Sequence, residues 1–541
     1  MSTDSRFPVV LLWHMHQPDY RLGGAYFRPW VYLHALRGYN DMAAHLEAVD
    51  GARVTVNFSP VLIDQLEDYT ARLTRWRQQR SPIGDPLLDA LAQPPAAGAG
   101  REQVLAACCR QHREISEQRF PALAALCKHT GDGPLNDGNF TDLLVWYHLA
   151  WLGEAVREID PRSRALIDKH SGYDVVDRHT LLELIGEIVA GVLPRYRRLA
   201  DSGRVELSMS PFQHPLMPLL IDFASTLDNA PGTALPSAAY PGGEARVRWH
   251  LETGLARFQA SFGRRPRGCW PSEGALSMRT LELLGAAGFD WTASGGGVLA
   301  ATLAAAGHAE WPPHRLWRAA AGTPAIGFRD AGLSDLIGFS YRGWDQDAAV
   351  DDLLSHCLRT ADGEHADMML IALDGENPWE YYPDGGHRFV RGLYAGLAEH
   401  PRLRPATLGE CIDQLPVTEL PPLRAGSWVY GQLLTWIGHP EKNRAWELLI
   451  DAKRRFDAAP RDAAATLKLA VCEASDWFWW PGDDNPGGAI SDFDQLFRGH
   501  LRELYQHLGE PPPEVLNQPF SNSENDARPD AELSGTMRHG A

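Results

Sequence analysis

The sequence predicts an α/β protein built from repeated parallel βα units. Three observations lead there. Short apolar runs are rich in β-branched and aromatic residues, polar or turn residues close each run, and helical patterns lie between most of them. Seven runs stand out along the 541 residues: 7–14 (FPVVLLWH), 53–60 (RVTVNFSP), 204–211 (RVELSMSP), 267–273 (RGCWPSE), 289–294 (FDWTAS), 324–330 (PAIGFRD) and 367–376 (DMMLIALDGE). One helical pattern spans 180–199, with Leu181, Leu184, Ile185, Ile188, Val189, Val192 and Leu193 on one face. Strands alternating with helices imply parallel pairing. Seven such units suit a βα barrel with one unit missing, or a large doubly wound sheet.

The stretch 81–203 is too long for one connection. It carries a Pro/Ala/Gly loop at 94–100 and helical runs such as 142–156, so it reads as a helical insertion in a domain covering 1–406. After about residue 407 strand signals fade. Phe493, Leu496, Phe497, Leu501, Leu504, Tyr505 and Leu508 form one helical stripe, which predicts a C-terminal helical domain over 407–508. Residues 509–541 are rich in Pro, Ser, Asn and Asp and read as a disordered tail.

Composition narrows the function. With 44% hydrophobic and 22% charged residues, the chain is neither wholly disordered nor fibrous. Its 69 acidic residues outnumber 51 basic ones, a net charge of -18. That field repels phosphate backbones and anionic lipid, which argues against nucleic-acid and membrane partners. No apolar span reaches the roughly 18 residues of a membrane helix. The N-terminal MSTDSRF lacks a basic region followed by an apolar one, so no secretory signal is expected there. The seven cysteines show no zinc-ribbon spacing and read as small core residues in a reducing compartment, with the cytoplasm as the expected location.

The run ends carry the chemistry. The first ends in WHMHQPDY, where His14 and His16 alternate and so point the same way. In parallel barrels that end of a strand is where active sites lie. Three readings are open: histidines that cap a strand, a metal pair, or neutral imidazoles that join Gln17 in hydrogen-bonding sugar hydroxyls. Later run ends offer Asn57, Ser210 with His214, Glu273, Asp330 and Asp374. That set is richer in carboxylates than in imidazoles, which weighs against a metal. Glu273 follows Trp270 through a Pro and a Ser, at a strand-to-helix turn, and Trp270 could stack on a sugar ring. The seventh end, LIALDGENPWEYYPDGG, crowds Asp374, Glu376 and Glu380 with Trp379, Tyr381 and Tyr382. Carboxylates so close split their pKa values, although a calcium loop would use the same oxygen donors. Two carboxylates at two strand ends, in a mouth of Trp and Tyr, are what glycoside hydrolysis requires.

With these residues in hand, the chain resembles glycoside hydrolase family 57, in the bacterial branch of α-amylase and α-mannosidase-like members. The resemblance runs in order through WHMHQPDY, PWVYLHALRGYNDM, VNFSPVLIDQLEDY, VELSMSPFQHPLMPLL, CWPSEGALS, FRDAGLSDLIGF, LDGENPWEYY, AGSW with TWIGHPEKNRAWELL, and EASDWFWW. It implies an incomplete (β/α)7 barrel followed by a helical bundle. It also implies a retaining mechanism on α-glucosidic bonds without metal or other cofactor. It makes Glu273 the nucleophile and Asp374 the general acid/base. His14, His16, Glu206, His214, Asp476 and Trp477 match positions expected to line the site. Gln17, Trp270, Glu376 and Trp379 join them as candidate substrate contacts on their place in the motifs. Two departures stand out. Ala331 follows the FRD triplet where close members often have His, and the loop TASGGGVL, with Gly295 to Gly297, lacks an expected acidic residue.

The leading expectation is therefore an enzyme acting on α-glucans such as glycogen or maltodextrin. A 4-α-glucanotransferase or branching enzyme would share the covalent intermediate. A metal-dependent barrel hydrolase or deacetylase using His14 and His16 is the alternative of another class. A carbohydrate-binding protein without catalysis is a third, and it fits poorly with the presence of both Glu273 and Asp374.

Overall fold

The structure, a computed structural model, describes residues 5–109, 118–129, 135–308, 311, 313–460 and 462–522. It is an α/β fold with a mixed sheet and many helices. The sheet strands are β1 (Phe7–Met15), β2 (Val54–Phe58), β3 (Val205–Met209), β4 (Gly268–Cys269), β5 (Trp291–Gly295), β6 (Leu316–Arg318), β7 (Ala325–Arg329), β8 (Met369–Asp374), β9 (Leu403–Ala406) and β10 (Val417–Glu419). They run in the order β8-β1-β2-β3-β4-β5-β7-β6-β10, with β9 also paired to β1. From β8 to β7 every neighbour is parallel, and β6 joins β7 antiparallel. The two ends of the parallel run approach each other: the Asp330 N–H donates to the Leu370 carbonyl (2.8 Å) and Arg329 Nε to the Ala372 carbonyl (2.9 Å).

Each of the seven predicted runs matches one strand, with β1 and β5 each extending one residue beyond its run. β1 is buried along almost its whole length, as a strand covered on both faces must be. β4 keeps only two residues of the predicted 267–273, because Pro271 has no N–H to donate and the chain turns there. β6, β9 and β10 were not expected. They are three or four residues long, and β9 includes Pro405 while β10 reads Val-Thr-Glu, so neither shows a hydrophobic run.

Within 81–203 the described residues are helical over Pro86–Ala92, Ala99–Cys109, Pro121–His129, Asp137–Trp151, Glu154–Ile159, Pro161–Lys169 and Val175–Asp201. The last carries the predicted stripe on its buried face and starts with a capping box at Asp174. Helices Ala99–Cys109 and Pro121–His129 bring Cys109 and Cys127 together as a disulfide. This corrects the reading of all seven cysteines as core thiols; the other five are buried and free. No helix among the described residues is long and apolar enough to cross a membrane. The tail expected from 509 is corrected over its first part. There the Phe520 and Ser521 N–H groups donate to Asp494, on helix Gly487–His507, at 2.9 and 3.1 Å. Residues 523–541 lie outside the described residues.

Two late segments are zipped onto loops that follow sheet strands. Pro215, beyond β3, bridges Ala474, and Leu276, beyond β4, bridges Gly426. The first junction is fixed by Glu473, which is fully buried. It accepts from Arg246 Nη2 (2.7 Å), faces His250 Nε2 at 2.7 Å, and takes a hydrogen bond from the Tyr240 hydroxyl. Burial alone would raise this carboxyl. Arg246 and then His250 outweigh it and hold Glu473 at about 2. Replacing Glu473 by Gln leaves the Arg246 guanidinium buried without its counter-charge. The expected loss is about 3–5 kcal/mol, read as a lower urea midpoint; an unchanged midpoint would show that the junction does not depend on this pair.

Candidate active site at the strand ends

His14 is next to last in β1 and lies in register with Asp374 on one side and Asn57 on the other. An amide oxygen only accepts, so His14 Nδ1 donates to Asn57 Oδ1 (2.7 Å). Asn57 is held in turn by Ser210 and Ser208 at 3.0 and 3.2 Å. His16 Nδ1 meets the Ser59 hydroxyl at 2.9 Å, and its Nε2 faces both oxygens of Asp476 at 3.2 Å. His214 stacks on His16 with ring centroids 3.8 Å apart and on His14 at 5.0 Å. Burial and then His16 push His14 down to about 3; burial, His16 and His14 hold His214 well below its ordinary value. Both rings are therefore neutral near pH 7.

Glu273 sits on the turn after β4 at φ 59, ψ 23, a left-handed conformation that costs a non-glycine residue about 1–3 kcal/mol. Gln213 and His214 share that strain, at φ 53 and φ 57. The turn aims the Glu273 carboxyl into a cavity also lined by His14, His16, Gln17, Asp374, Asn377, Trp428 and Asp476. Its Oε1 accepts from the Ser475 hydroxyl (3.0 Å) and its Oε2 from Trp428 Nε1 (3.2 Å). Ser475 in turn faces His214 Nδ1 at 3.0 Å. Trp428 reaches this place because the 426–431 loop lies against the glycine triplet that begins at the last residue of β5. A Cβ on Gly295 would stand 2.6 Å from Trp428 Cα, and one on Gly297 would stand 3.0 Å from Gly431 N. The absent acidic residue is thus replaced by close backbone approach. Ala331, the other departure, is exposed at the start of a short helix.

Burial raises Glu273 to about 8, and Asp476 adds to it; the Ser475 and Trp428 donors offset only part. Asp374, the last residue of β8, is also raised by burial, against the pull of Asn377, whose Nδ2 donates to it at 3.0 Å. Glu376 is raised well above its usual range by burial and then by Asp374. It is turned away from the cavity, where it accepts from Tyr39 (3.0 Å), Gln17 Nε2 (3.1 Å) and the His16 N–H (3.3 Å). Glu376 therefore fixes Gln17 and the His16 backbone from behind.

The other predicted contacts divide. Trp270 is fully buried beneath His14 and Trp428, with ring centroids at 6.0 and 5.1 Å. Trp379 donates to the Gly375 carbonyl and packs edge-on against Trp13. Trp477 donates to the Val471 carbonyl and packs on Phe497; it is core, while Asp476, Trp479 and Trp480 reach the cavity. Glu206 is corrected. It lies one pleat before Ser208, at the amino end of β3, where Trp291 Nε1 (2.8 Å) and the Gly409 N–H (2.7 Å) bind it. Matching the motif VELSMSPFQH as a whole placed Glu206 in the mouth; counting residues back from the strand end would have placed it at the opposite end. The sequence reading missed Trp428, Ser475 and Asn377. Each lies inside a quoted motif (AGSW, EASDWFWW, LDGEN), but only contacts across the fold give it a partner. Among the described residues, the group with spacing for a metal ion is His16, His214 and Asp476.

Comparison with solved structures supports the fold at low identity. A branching enzyme from Pyrococcus horikoshii is 15% identical, with 96% of this chain and 97% of that one covered, at a TM-score of 0.58. An α-amylase from Thermotoga maritima is 13% identical, with 95% and 96% covered, at 0.57. A 4-α-glucanotransferase from Thermococcus litoralis is 12% identical, with 93% and 60% covered, at 0.52. A search of curated proteins finds no match. The model of glycosyl hydrolase family 57 matches residues 10–424, a span that holds most of β1, all of β2 through β10, Glu273 and Asp374, and the chain belongs to that family.

Proposed function

We propose that this family 57 glycoside hydrolase cleaves α-glucosidic bonds of glycogen- or maltodextrin-like α-glucans with retention of configuration. In this reading the parallel strands form a (β/α)7 barrel over residues 1–406, with a helical insertion near 81–203, and residues 407–508 form a helical domain that closes its mouth. One observation carries the function: two carboxyls from different strand ends, Glu273 and Asp374, line one cavity walled by Trp428, Trp479 and Trp480. The neutral imidazole of His14, with His16 and Gln17 beside it, offers donors and acceptors to sugar hydroxyls.

Glu273 attacks the anomeric carbon as the glycosidic C–O bond breaks, and Asp374 gives its proton to the leaving oxygen. A covalent glycosyl ester results. Asp374, now ionised, takes a proton from water, and the hydroxide displaces Glu273. If a sugar hydroxyl replaces water, the same chemistry transfers the glucan, as a 4-α-glucanotransferase or branching enzyme would. The structures that share the fold include enzymes of both kinds. Product analysis on maltooligosaccharides, glycogen and pullulan separates them: free reducing ends released with α configuration support hydrolysis, and new linkages without reducing ends support transfer. β-Configured products would exclude retention.

The protons belong to the carboxyls jointly. Glu273 has its proton in the free site at neutral pH, and the attacking form requires it to move to Asp374. The pair therefore works between two macroscopic values, and kcat/KM is expected to fall above about pH 8. An upper limb two pH units lower would contradict the burial of Glu273. Asp374→Asn should lower kcat by about 10²–10⁴-fold, and Glu273→Gln by about 10⁴-fold or more. EDTA dialysis should leave the rate unchanged.

The same variant carries a stability signature. Glu273 has a folded value of about 8 against 4.5 for the free group. Its ionisation therefore disfavours the folded state, and wild-type stability is lost as pH rises from about 4.5 through about 8. Glu273→Gln should melt higher than wild type at pH 8.5 and much the same at pH 4. Equal melting temperatures at both pH values would show that the carboxyl is not strained by its burial.

A further inference from the structure

The segment 435–449 (TWIGHPEKNRAWELL) takes no part in the reaction above, yet it is the seat of the short helix that walls the cavity. The Trp446 ring lies flat on Phe478 with centroids 3.8 Å apart, and Trp436 meets Trp479 edge-on at 5.4 Å. Glu441 Oε2 accepts from the Gly482 N–H at 2.8 Å. Lys442 sends Nζ to two main-chain oxygens, that of Trp479 at 2.9 Å and that of Phe478 at 3.2 Å. These carbonyls stand at the end of helix Asp476–Trp479, and a helix leaves its last carbonyls without partners of its own.

Three features make this lysine costly. It is only 5% exposed. Its hydrogen bonds among the described residues go to main-chain oxygens and none to a carboxylate. It stands third in helix Pro440–Ala458, where the helix dipole disfavours a cation. Burial pushes its ammonium down to about 7, against the pull of Asp484 and then Glu441. As ammonium or as amine it keeps N–H groups for both carbonyls. An apolar side chain of the same length would carry none of these costs, so the amine is to be explained by what it holds.

We propose that Lys442 is a positioning residue: it fixes the aromatic wall of Trp479 and Trp480, against which a glucosyl ring of the α-glucan packs. The inference rests on the function proposed above. The cavity-lining segment has two ends with separate anchors. Its near end is held by the bridge between Ala474 and Pro215 and by the Ser475 hydroxyl on Glu273. Its far end carries Trp479 and Trp480, which line the cavity, and is held by Lys442 with Asn485, whose Nδ2 donates to the Trp479 and Trp480 oxygens at 3.0 and 3.1 Å. Loosening the far end weakens the hold on substrate and leaves the carboxyls and their donors in place. A contact made equally in ground and transition state shows in KM and not in kcat.

Lys442→Met, made in the full-length protein, keeps the length of the side chain and removes its donors. KM for a maltooligosaccharide should rise about ten-fold while kcat stays within about three-fold of wild type. The alkaline limb of kcat/KM should not move, because Ser475 and Trp428 still donate to Glu273. Lys442→Gln, whose amide can serve one carbonyl, should recover part of the KM, and it carries every measurement if Lys442→Met fails to fold. A second readout needs no substrate. Hydrogen exchange followed by mass spectrometry should show the peptide over 476–486 exchanging about ten-fold faster in the variant, with the peptide over β1 unchanged. Unchanged exchange shows that Lys442 does not hold the segment, and faster exchange with an unchanged KM shows that the segment does not hold substrate; either result overturns the proposal. A fall in kcat together with a shifted alkaline limb overturns it too, since that is a general loss of packing. If exchange changes as expected but the wild-type protein acts on no α-glucan, the proposed function alone falls, and Lys442 still positions the wall.

Discussion

The burial of one carboxyl, Glu273, sets the terms for everything around it. Its donors are a hydroxyl and an indole, and its nearest charged neighbours are other carboxyls. Among the described residues no Lys or Arg is a hydrogen-bond partner of it, and burial raises it to about 8. A fold accepts such a group only if its surroundings leave it no better conformation. Here the left-handed turn at Glu273, the strained pair Gln213–His214 and the close approach of Trp428 to the glycine triplet all press on the same few atoms. Local rules of preference are broken around the proposed site, and functional sites are the usual place for them to be broken.

Support for that strain comes from a distance. The ion cluster of Glu473, Arg246 and His250 is a place where buried charge is fully matched, and it stands two residues from Ser475 and three from Asp476. A stabilising pair thus sits directly behind a destabilised one. The arrangement lets the segment that seals the cavity be held without adding a cation to the cavity itself, where a cation would pull Glu273 down and alter its proton.

Much of this was legible in the sequence, for identifiable reasons. A strand buried on both faces must be continuously apolar, so Phe7–Met15 and Met369–Asp374 announce themselves, and the carboxyl end of each then marks where chemistry lies. Asp374 was singled out that way, whereas Glu273 follows a strand of only two residues and was singled out by the Trp, Pro and Ser before it. Strands that only patch an edge, such as Leu403–Ala406 and Val417–Glu419, have no such pattern and were missed. Glu206 misled because a motif was read as a block, although its residues face different ends of one strand. Trp428 and Ser475 were visible as letters but silent as roles, since their partners lie 155 and 202 residues away. Cys109 and Cys127 likewise needed two helices side by side before their spacing of 18 residues meant anything.

The position of β1 has a consequence in time. It leaves the ribosome before the other strands of its sheet, yet its neighbours are Val54–Phe58 on one side and Met369–Asp374 on the other, with Leu403–Ala406 at its start. For most of synthesis it has one open edge, apolar on both faces, waiting for a partner some 360 residues later. Contacts of that range are slow to form, and an unpaired apolar edge is where chains stick to one another. The histidines at the end of this strand therefore receive Asp374 late and Asp476 later still. Until Asp374 and Asp476 have both been made, a newborn chain holds only half of the cavity wall.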